Sequence, residues 1–510
     1  MSILQLVADE SGYSSAVVII GASIISLVAF IFGTVVYRLW FHPLAKIPGP
    51  KLWATCDVFN MVHQQVKLDM AYRAIELHRK YGPMVRIGPN RVIVEGNIAW
   101  PQVHGARSTS EADEFGKVKN FLYPIDHMAL LGANREDHRR QRRQLGHAFS
   151  IAALHEQEHI IQKYMGQFID ELTARTKRGE TLNIVDWINY TTFDVIGDLC
   201  FAECFHGLDG DTDYVDNAFR GVIGSSYTRF LKRFPLLKVP MKCVLGTNEL
   251  AKAIEAGKRN ASLGQLKGKA RMAMGAELKD GRRDFATYML KEGKNGEKVL
   301  SEGEVLSLSA MLVLAGSETT GTALAGFSFL ISRNPDKKKI LQNEIRSAFT
   351  DEADINITNT ARLEYLNAVI EETMRIYPPA QTMTPRVSPG AETLINVYTR
   401  ATFRNSKNFT DADSFHPERW LNSNHPFYNP RFANDKREVF KPFSAGPRDC
   451  IGKNLAYAEM RIAIARLMYR FDIEVLPGQD DWMDTQLSTL ILIKPGLNVK
   501  LSLRPGIGLD

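Results

Sequence analysis

Apolar residues recur at the three- and four-residue spacing of an α-helix along most of the chain. The segments with this spacing are residues 66–80, 135–149, 151–176, 184–203, 302–333 and 453–470. Two shorter runs, 84–95 and 487–503, have the composition of β-strands. The pattern therefore predicts a mainly α-helical fold with small β-sheets, in the α+β class.

The beginning of the chain has a different pattern. Residues 16–36, AVVIIGASIISLVAFIFGTVV, are almost continuously apolar, and the surrounding residues 11–37 carry no charge. About 20 apolar residues span the hydrocarbon core of a bilayer, so we expect a transmembrane helix rather than a buried core helix. Acidic residues precede the segment and basic residues follow it from Arg38 onward. The positive-inside rule then places the rest of the chain in the cytosol.

Prolines follow the apolar segment. Pro43, Pro48 and Pro50 oppose helix formation, so we expect a stiff, extended neck. No linker rich in Gly, Ser or Pro divides the chain after residue 60, which predicts one large catalytic domain. The predicted organisation is a short lumenal N-terminus (1–12), a transmembrane anchor (13–37), the neck (38–56) and the catalytic domain (57–510).

Composition excludes several classes of function. The net charge of +6 is mild, and no basic run is interleaved with aromatic residues, so nucleic acid is not an expected partner. The five cysteines are an odd number and contain no C-x-x-C pair. They predict neither a disulfide framework nor a zinc site, and they are typical of a reducing compartment.

The helical pattern at 302–333 contains an unusual centre. Ser301 and Glu304 have the spacing of a capping box, and Pro335 follows the segment. Residues 315–322 read AGSETTGT, with glycines and hydroxyl groups that disfavour a helix interior. A tolerated kink is one interpretation. The other is a local opening of the helix, in which the hydroxyls and a carboxylate face a cavity.

The stretch FSAGPRDCIG at 443–452 contains a lone cysteine, Cys450, just before the predicted helix at 453–470. Free N–H groups and the dipole at a helix start stabilise a thiolate. Three roles are open for Cys450. A buried structural thiol does not need these neighbours, a catalytic nucleophile lacks a Cys–His signature here, and a metal thiolate is the third.

The neighbours of Cys450 fit a cysteine ligand to haem iron best. Gly446 permits a tight turn, and Gly452 permits close approach of the backbone to a large flat group. Arg448 can pair with an acidic substituent of that group.

The same stretch matches F-x-x-G-x-R-x-C-x-G, the haem-binding signature of the cytochrome P450 family. Three more segments resemble motifs of this family in the same chain order. Residues 315–320, AGSETT, resemble its oxygen-activation motif, Glu372 to Arg375 match its E-x-x-R, and residues 415–420, FHPERW, match its P-E-R-F/W segment. The likeness covers nearly the whole chain. The neck and the segments RIGPN and FDVIGDL are similar to the membrane-anchored enzymes of fungal secondary metabolism.

The resemblance implies a haem b cofactor (iron protoporphyrin IX) with Cys450 as its axial thiolate and metal ligand. Phe443 would shield the sulfur, and Gly446 and Gly452 would shape the cysteine loop. The residues that would bind the haem propionates are His138, Arg142, Arg386 and Arg448. The residues that would form a buried charged triad supporting the cysteine loop are Glu372, Arg375 and Arg419.

The resemblance also implies roles for Thr319 and Glu318. The threonine hydroxyl would hold a water, and the carboxylate would relay the protons that dioxygen needs before its O–O bond breaks. Arg139, Arg140 and Arg143 are expected on a solvated basic face, where they would help an acidic reductase to dock. The substrate pocket would draw on residues 105–125, 205–245, 311–315, 380–384 and 486–491, which are largely apolar.

The implied function is that of a haem-thiolate monooxygenase. It would insert one oxygen atom from O2 into a lipophilic small molecule, by hydroxylation or epoxidation, with NADPH electrons delivered by NADPH–cytochrome P450 reductase. The expected location is the endoplasmic reticulum membrane, with one span in the lipid and the catalytic domain in the cytosol. An iron-free cysteine hydrolase is a more distant alternative.

One segment departs from the family pattern. Between Arg386 and Phe415 the chain lacks the G-x-x-I-P-x-G-T type turn that usually joins two strands, and it is short by roughly ten residues, about a strand and its turn. This predicts a trimmed sheet and weaker haem binding. It also raises the alternative of a non-catalytic or impaired haem protein, against which the intact Glu318–Thr319 pair argues.

Overall fold

Helices make up most of the structure, a computed structural model that describes residues 15–105, 114–118, 128–238, 247–293 and 295–506. The α-helices are α1 (Ser15–Val36), α2 (Lys51–Thr55), α3 (Asp57–Met61), α4 (Met70–Tyr81), α5 (Gly96–Ala99), α6 (Arg135–Gly146), α7 (Ile151–Lys177), α8 (Ile184–Phe201), α9 (Asp213–Arg233), α10 (Thr247–Ala273), α11 (Phe285–Met289), α12 (Glu302–Arg333), α13 (Pro335–Ala348), α14 (Ile357–Thr360), α15 (Glu364–Ile376), α16 (Thr399–Phe403) and α17 (Lys453–Arg470). Short 3₁₀ and π-helical segments lie between several of them. The expected class, mainly helical with small sheets, is confirmed.

The strands form small sheets at the edges of the helical body. They are β1 (Met84–Gly88), β2 (Arg91–Val94), β3 (Gly116–Lys117), β4 (Leu182–Asn183), β5 (Arg386–Val387), β6 (Leu394–Asn396), β7 (Phe471–Val475), β8 (Leu487–Ser488), β9 (Leu492–Ile493) and β10 (Asn498–Leu503). The described strands pair in the orders β1-β2-β6-β5-β3, β4-β10-β7 and β8-β9. Both strand-like runs of the sequence therefore lie in sheets.

Helix α12 crosses the body and packs against α8, α10, α15 and α17. It has 32 residues, which corresponds to about 48 Å at 1.5 Å per residue. The predicted capping box is confirmed: the Glu304 backbone N–H donates to Ser301 Oγ (3.3 Å), and the Ser301 N–H donates to a Glu304 carboxylate oxygen (2.9 Å).

The expected local opening of α12 is wrong, because the helix runs unbroken through residues 315–322. Its glycines have a packing reason instead. A Cβ at Gly316 would lie 2.6 Å from Ile196 Cδ1, so glycine lets α8 pack directly against α12. The hydroxyls of Ser317 and Thr319 are accommodated by donating to backbone carbonyls one turn earlier, those of Val313 (2.5 Å) and Ala315 (2.7 Å).

Helix α1 continues as a π-helical turn, and residues Ala16–Phe41 together are long and apolar enough to cross a membrane. No part of its most apolar window is buried against the rest of the described chain. This helix fits the expected anchor. The predicted lumenal N-terminus, 1–12, lies outside the described residues.

The prolines predicted an extended neck, but the neck is not extended throughout. Residues 37–41 remain helical and α2 forms at 51–55. Two hydrogen bonds attach the neck to β1. The Arg86 N–H donates to the Pro48 carbonyl (2.8 Å), and the Arg86 guanidinium donates to the Arg38 carbonyl (2.8 Å). A Cβ at Gly49 would overlap the Arg86 carbonyl oxygen. The neck is therefore held by hydrogen bonds to the sheet rather than by proline stiffness alone.

The shortened segment after Arg386 forms a small hairpin. Strands β5 and β6 pair antiparallel, with Arg386 opposite Ile395, and β6 pairs in parallel with β2. The strands are only two and three residues long, as expected of a trimmed sheet. The sheet nevertheless remains continuous from β1 to β3, and it keeps Arg386 in place.

Candidate active site

The cysteine loop, residues 443–450, leads directly into α17. The Cys450 N–H donates to the Phe443 carbonyl (2.9 Å), and the Asp449 N–H donates to the Gly446 carbonyl (3.1 Å). Gly446 has a φ of +81°, and a Cβ there would overlap the carbonyl oxygen of His104. The loop therefore requires glycine at 446 for both conformation and space, as the motif predicted.

Cys450 is an exposed residue, although neighbouring protein still removes water from around its thiol. Burial raises the pKa of this thiol, while the Gly452 backbone N–H and the charges of Arg142 and Lys453 oppose the rise in pKa. The helix start therefore stabilises a thiolate only in part, less than its position suggested. Bonding to a metal ion would complete the deprotonation.

Phe443 and Gly452 lie beside the cysteine as predicted. The Phe443 ring packs against Tyr457, with ring centroids 5.1 Å apart. A Cβ at Gly452 would lie 3.7 Å from the Phe149 ring, an ordinary contact. Nothing in the described protein requires glycine at 452, so its proposed role facing a flat group stays a prediction.

A small cavity of ≈130 Å³ lies next to the cysteine loop. Its polar lining consists of His104, Glu114, Arg135, His138, Arg139, Arg386 and Arg448. Among the described lining residues, Glu114 is the one carboxylate, and it already pairs with Arg135 (3.3 Å) and Arg448 (3.6 Å). The sequence motifs thus come together: His138, Arg386 and Arg448 share one cationic cavity, which we call the cradle.

Electrostatics in the cradle favour an anion. Burial, together with the charges of neighbouring cations, lowers the pKa of His104 and that of His138 to about 3. The same causes lower the pKa of Arg386 to about 10 and the pKa of Lys117 well below its ordinary value. Arg386 Nε is buried without a hydrogen-bond partner in the described protein. Two carboxylates on a flat group would relieve this repulsion, so the residues fit a haem with its propionates.

Arg142 lies outside the cradle. Its guanidinium donates to the Asp449 carbonyl (2.7 Å) and forms a short ion pair with the Asp449 carboxylate. The sequence grouped Arg142 with His138 because they are four residues apart. The structure instead shows Arg142 tying α6 to the cysteine loop, one residue before Cys450.

The predicted charged triad is present and completely buried. The Arg375 guanidinium donates twice to the Glu372 carboxylate (2.8 Å each), and Arg419 Nε lies 3.0 Å from the same group. The indole of Trp420 and the backbone N–H of His416 donate to it as well (2.9 and 2.8 Å). These charges and hydrogen bonds outweigh burial and lower the pKa of Glu372. The triad thus holds the segment before the cysteine loop against α15.

Thr319 and Glu318 point in different directions from α12. The Thr319 hydroxyl donates to the carbonyl of Ala315 (2.7 Å). Ala315 is exposed in the structure, and Thr319 is half-buried. The Glu318 side chain has no exposed surface, and its carboxylate pairs with Lys494 and accepts from Thr322 Oγ1 (3.0 Å). Thr322 therefore bonds a side chain of its own helix. The relay role of this pair stays a prediction.

Sequence reasoning missed several residues of the site. Lys117, His104 and Lys494 lie in no motif. Only the folded chain brings His104 to the cradle, Lys117 opposite Arg386 on the neighbouring strand, and Lys494 to Glu318. One basic residue was also misread. Arg140, expected on a solvated surface, pairs with Glu304 (2.5 Å) and Asp137 (2.8 Å) and so ties α6 to the start of α12.

A cysteine presented just before a helix and beside a cradle of cations is an arrangement that a flat, dianionic metal group bound through sulfur would fit. The Cytochrome P450 family model matches residues 48–501. The chain therefore belongs to the cytochrome P450 family, and it is a haem-thiolate monooxygenase.

Curated relatives cover the chain almost completely. The cytochrome P450 monooxygenase astJ of Aspergillus oryzae is 36% identical over 482 residues, which cover 91% of this chain and 93% of that protein. The trichothecene C-4 hydroxylase of Trichoderma arundinaceum is 34% identical and covers 88% and 90%. The averantin hydroxylase of Dothistroma septosporum is 33% identical and covers 98% and 94%. The expected resemblance to enzymes of fungal secondary metabolism is confirmed, and the non-catalytic alternative gains no support.

Proposed function

We propose that this chain hydroxylates or epoxidises a lipophilic intermediate of fungal secondary metabolism. The overall reaction consumes one O2, one NADPH and one proton; one oxygen atom enters the product and the other leaves as water. The hydroxylase names of relatives at similar identity across the whole chain support the reaction type. The apolar helix Ala16–Phe41 supports a single span in the endoplasmic reticulum membrane, with the catalytic domain in the cytosol.

We assign Cys450 as the axial ligand of haem b. His138, Arg386 and Arg448 bind the propionates. Lys117 lies opposite Arg386 on the neighbouring strand β3, outside the cavity lining. Phe443 covers the sulfur, and Gly446 and Gly452 shape its loop. When bound, the haem supplies the chemistry that reduces dioxygen and cleaves its O–O bond.

Residues of the chain then position a water and transfer protons to and from it. The Thr319 hydroxyl, on the accessible side of α12, is placed to hold a water. The Glu318 carboxyl, one residue before it, is the proton donor and acceptor behind that water. The triad of Glu372, Arg375 and Arg419 touches no reacting atom and acts by holding the cysteine loop.

Electrons come from NADPH–cytochrome P450 reductase, which docks on the cysteine side of the molecule. Arg139 and Arg143 are exposed basic residues of α6 that an acidic partner can contact. Arg140 is not one of them, because its guanidinium is engaged with Glu304 and Asp137. Rim charges of this kind mainly set the rate of association, so we expect docking to weaken as salt rises.

The observation that carries this proposal is a loop that presents Cys450 beside a cationic cradle. The test is the absorption spectrum of the reduced, carbon-monoxide-bound chain. The purified full-length protein should show the red-shifted band of a thiolate-bound haem, and Cys450→Ser should lose it. Cys56→Ser, a change at a half-buried cysteine in the neck, is the matched control and should keep the band.

The reaction itself is tested with reductase, NADPH and extracts of fungal metabolites. Candidate substrates should shift the spectrum of the resting protein, and ¹⁸O2 should label the product with one heavy atom. A full thiolate spectrum without any label from a broad metabolite panel would contradict the proposed substrate class. A wild-type chain that binds haem without the thiolate band would contradict the ligand.

A further inference from the structure

The carboxyl end of the anchor helix is capped by a residue of the catalytic domain. In the π-helical turn that follows α1, a carbonyl accepts from the N–H five residues later, as Tyr37 does from His42 (2.8 Å). For the carbonyl of Arg38 that position is Pro43, which has no N–H. The guanidinium of Arg86 in β1 supplies the missing donor (2.8 Å). The cap therefore links the membrane span to the body of the protein.

Arg86 makes this cap with a buried guanidinium. The residue is 3% exposed, and its other guanidinium bonds go to the carbonyls of Gly88 (3.2 Å) and Pro89 (2.9 Å). Burial and the charge of Arg38 lower the pKa of Arg86. A buried cation needs acceptors, and the carbonyls at the end of a helix carry the negative end of its dipole. The cation and the helix end therefore stabilise each other.

The backbone of Arg86 holds the neck at a second point. Its N–H donates to the Pro48 carbonyl (2.8 Å), and a Cβ at Gly49 would overlap its carbonyl oxygen. The guanidinium of Arg38 in turn donates to the carbonyl of Thr55 at the end of α2 (2.5 Å). These contacts close the neck on itself and on β1, so the span has little freedom to swing about the prolines.

The neck also presents an apolar surface next to the span, which we call the neck surface. Trp40 and Phe41 are 63% and 73% exposed, and Leu52 of α2, which packs on the π-helical turn, is 59% exposed. Lys46 and Lys51 in the same stretch are exposed as well. Aromatic residues and lysines are typical of the boundary between lipid tails and headgroups. Because the neck surface is continuous with the span, a bilayer surface is the partner that it fits.

We propose that Arg86 locks the membrane span to the catalytic domain, so that the neck surface lies on the bilayer and the domain keeps one orientation above it. The lock rests on the proposed membrane span. Turning the domain about the neck would separate the Arg86 guanidinium from the Arg38 carbonyl, and an unmade bond to a buried cation is costly. The lysines of the neck surface add attraction to anionic headgroups.

Distances between two spin labels in lipid nanodiscs measure this orientation. Labels carried by unnatural amino acids at Ser23, in the span, and at Glu76, exposed on α4, report how the two parts are arranged. The wild-type chain should give one narrow distance distribution. Arg86→Met should widen it at least twofold, because the cap is lost. Arg79→Met, at an exposed arginine of α4, is the control and should leave the distribution narrow.

Gly49→Ala tests the lock without changing Arg86. The added Cβ would push the neck off β1, so the distribution should widen as it does in Arg86→Met, while the circular dichroism of the helices is retained. Gly33→Ala, in the span, is the matched control, since nothing described lies within 4 Å of its added Cβ. A wild-type distribution as broad as that of Arg86→Met would overturn the lock, and so would narrow distributions in both Arg86→Met and Gly49→Ala.

A fluorescent label at Leu52 tests the neck surface. Lipids with a quencher in the headgroup should quench it and should leave a label at Ile151 bright, since Ile151 is exposed on α7, which packs against α8 and α17. Absence of quenching at Leu52 would remove the neck surface from the bilayer. A label at Ser23 should be quenched from the acyl chains, and failure there would overturn the membrane span itself. No readout here requires turnover, so each is separate from the proposed reaction.

Discussion

The carbonyl oxygen of His104 occupies the position that a Cβ at residue 446 would need. The two residues belong to distant parts of the chain, and their backbones touch directly behind the cysteine loop. Gly446 also has a φ of +81°, which side-chain-bearing residues rarely adopt. This contact fixes the distance between the loop that presents Cys450 and the π-helical turn Trp100–His104 that contributes to the cradle.

Gly446→Ala should therefore displace the cysteine loop. The strained conformation alone costs about 1 kcal/mol, and the overlap with a backbone oxygen adds to it because neither backbone can move without the other. We expect haem content and the carbon-monoxide band to fall together with Tm. Gly478→Ala is the matched control, since its φ is +83° and nothing lies within 4 Å of the added Cβ. Equal losses in the two variants would show that conformation, not the His104 contact, is responsible.

The cradle predicts faster loss of haem when one cation is removed. Arg386 is buried, and its Nε has no hydrogen-bond partner in the described protein, so this nitrogen is available to a bound anion. Arg386→Met removes that donor and its charge. We expect haem to transfer to an acceptor protein at least ten times faster, because one charge-assisted hydrogen bond is worth about 1.5–3 kcal/mol. Arg139→Met, at an exposed position on the cradle rim, should change the rate little. An unchanged transfer rate for Arg386→Met would remove Arg386 from the propionate site.

The cradle also predicts how pH affects the haem-free chain. His138 stays neutral when folded because its pKa is about 3, but it takes up a proton near pH 6.5 when unfolded. The unfolded state therefore binds more protons below pH 6.5, and stability falls as pH drops from about 6.5 toward 3, by up to ~1.4 kcal/mol per pH unit. His138→Gln should flatten this slope in denaturant unfolding. His159→Gln, at an exposed histidine of α7, should leave it unchanged.

Much of this site was predictable from short-range sequence. Cys450, Gly446 and Arg448 lie in one loop, and Glu372 and Arg375 lie on one helix turn, so short motifs that resemble those of the family indicate their roles. The fold class followed from the same periodicity, because long amphipathic helices dominate the chain. The triad partner Arg419 came from its motif, and the structure places it within 3.0 Å of Glu372.

Other features depend on contacts that spacing does not encode. Arg142 is one helix turn from His138, yet Asp449 on another element takes its guanidinium. Gly316 looked like a helix opening, but its neighbour is Ile196 of α8, more than a hundred positions earlier. Lys494 gives no sign in the sequence of reaching a carboxylate on α12. In each case the partner is a long-range neighbour, which only the packed fold determines.

The triad predicts a large loss of stability from one small change. Glu372→Gln keeps the shape of the side chain but leaves Arg375 and Arg419 buried without their shared charge. Breaking such a group costs about 3–5 kcal/mol, which denaturant unfolding measures directly. The same carboxylate contributes to acid sensitivity: its pKa is lowered by folding, so its stabilisation is present above pH ~4.5 and is lost as the pH falls. Glu364→Gln, exposed on the same helix, is the control and should cost little.

Arg400 is a buried cation with few partners, and it predicts a stabilising substitution. Arg400 lies in α16, shortly after the trimmed hairpin, and its side chain is 1% exposed, with Nε and Nη1 lacking partners in the described protein. Among the described residues its ion-pair partner is Asp484 (3.1 Å), an exposed residue, and its guanidinium lies over the ring of Tyr72.

Each unpaired buried donor lowers the stability by about 1–3 kcal/mol, whereas an ion pair with an exposed partner adds little to it. Arg400→Met keeps the apolar stem that packs on Tyr72 and removes the unpaired nitrogens, so Tm should rise while the thiolate spectrum stays unchanged. Arg375→Met makes the same change at a buried arginine whose nitrogens are all bonded, and it should lower Tm sharply. A lower Tm for Arg400→Met would mean that the pair with Asp484 and the contact with Tyr72 outweigh the unpaired donors.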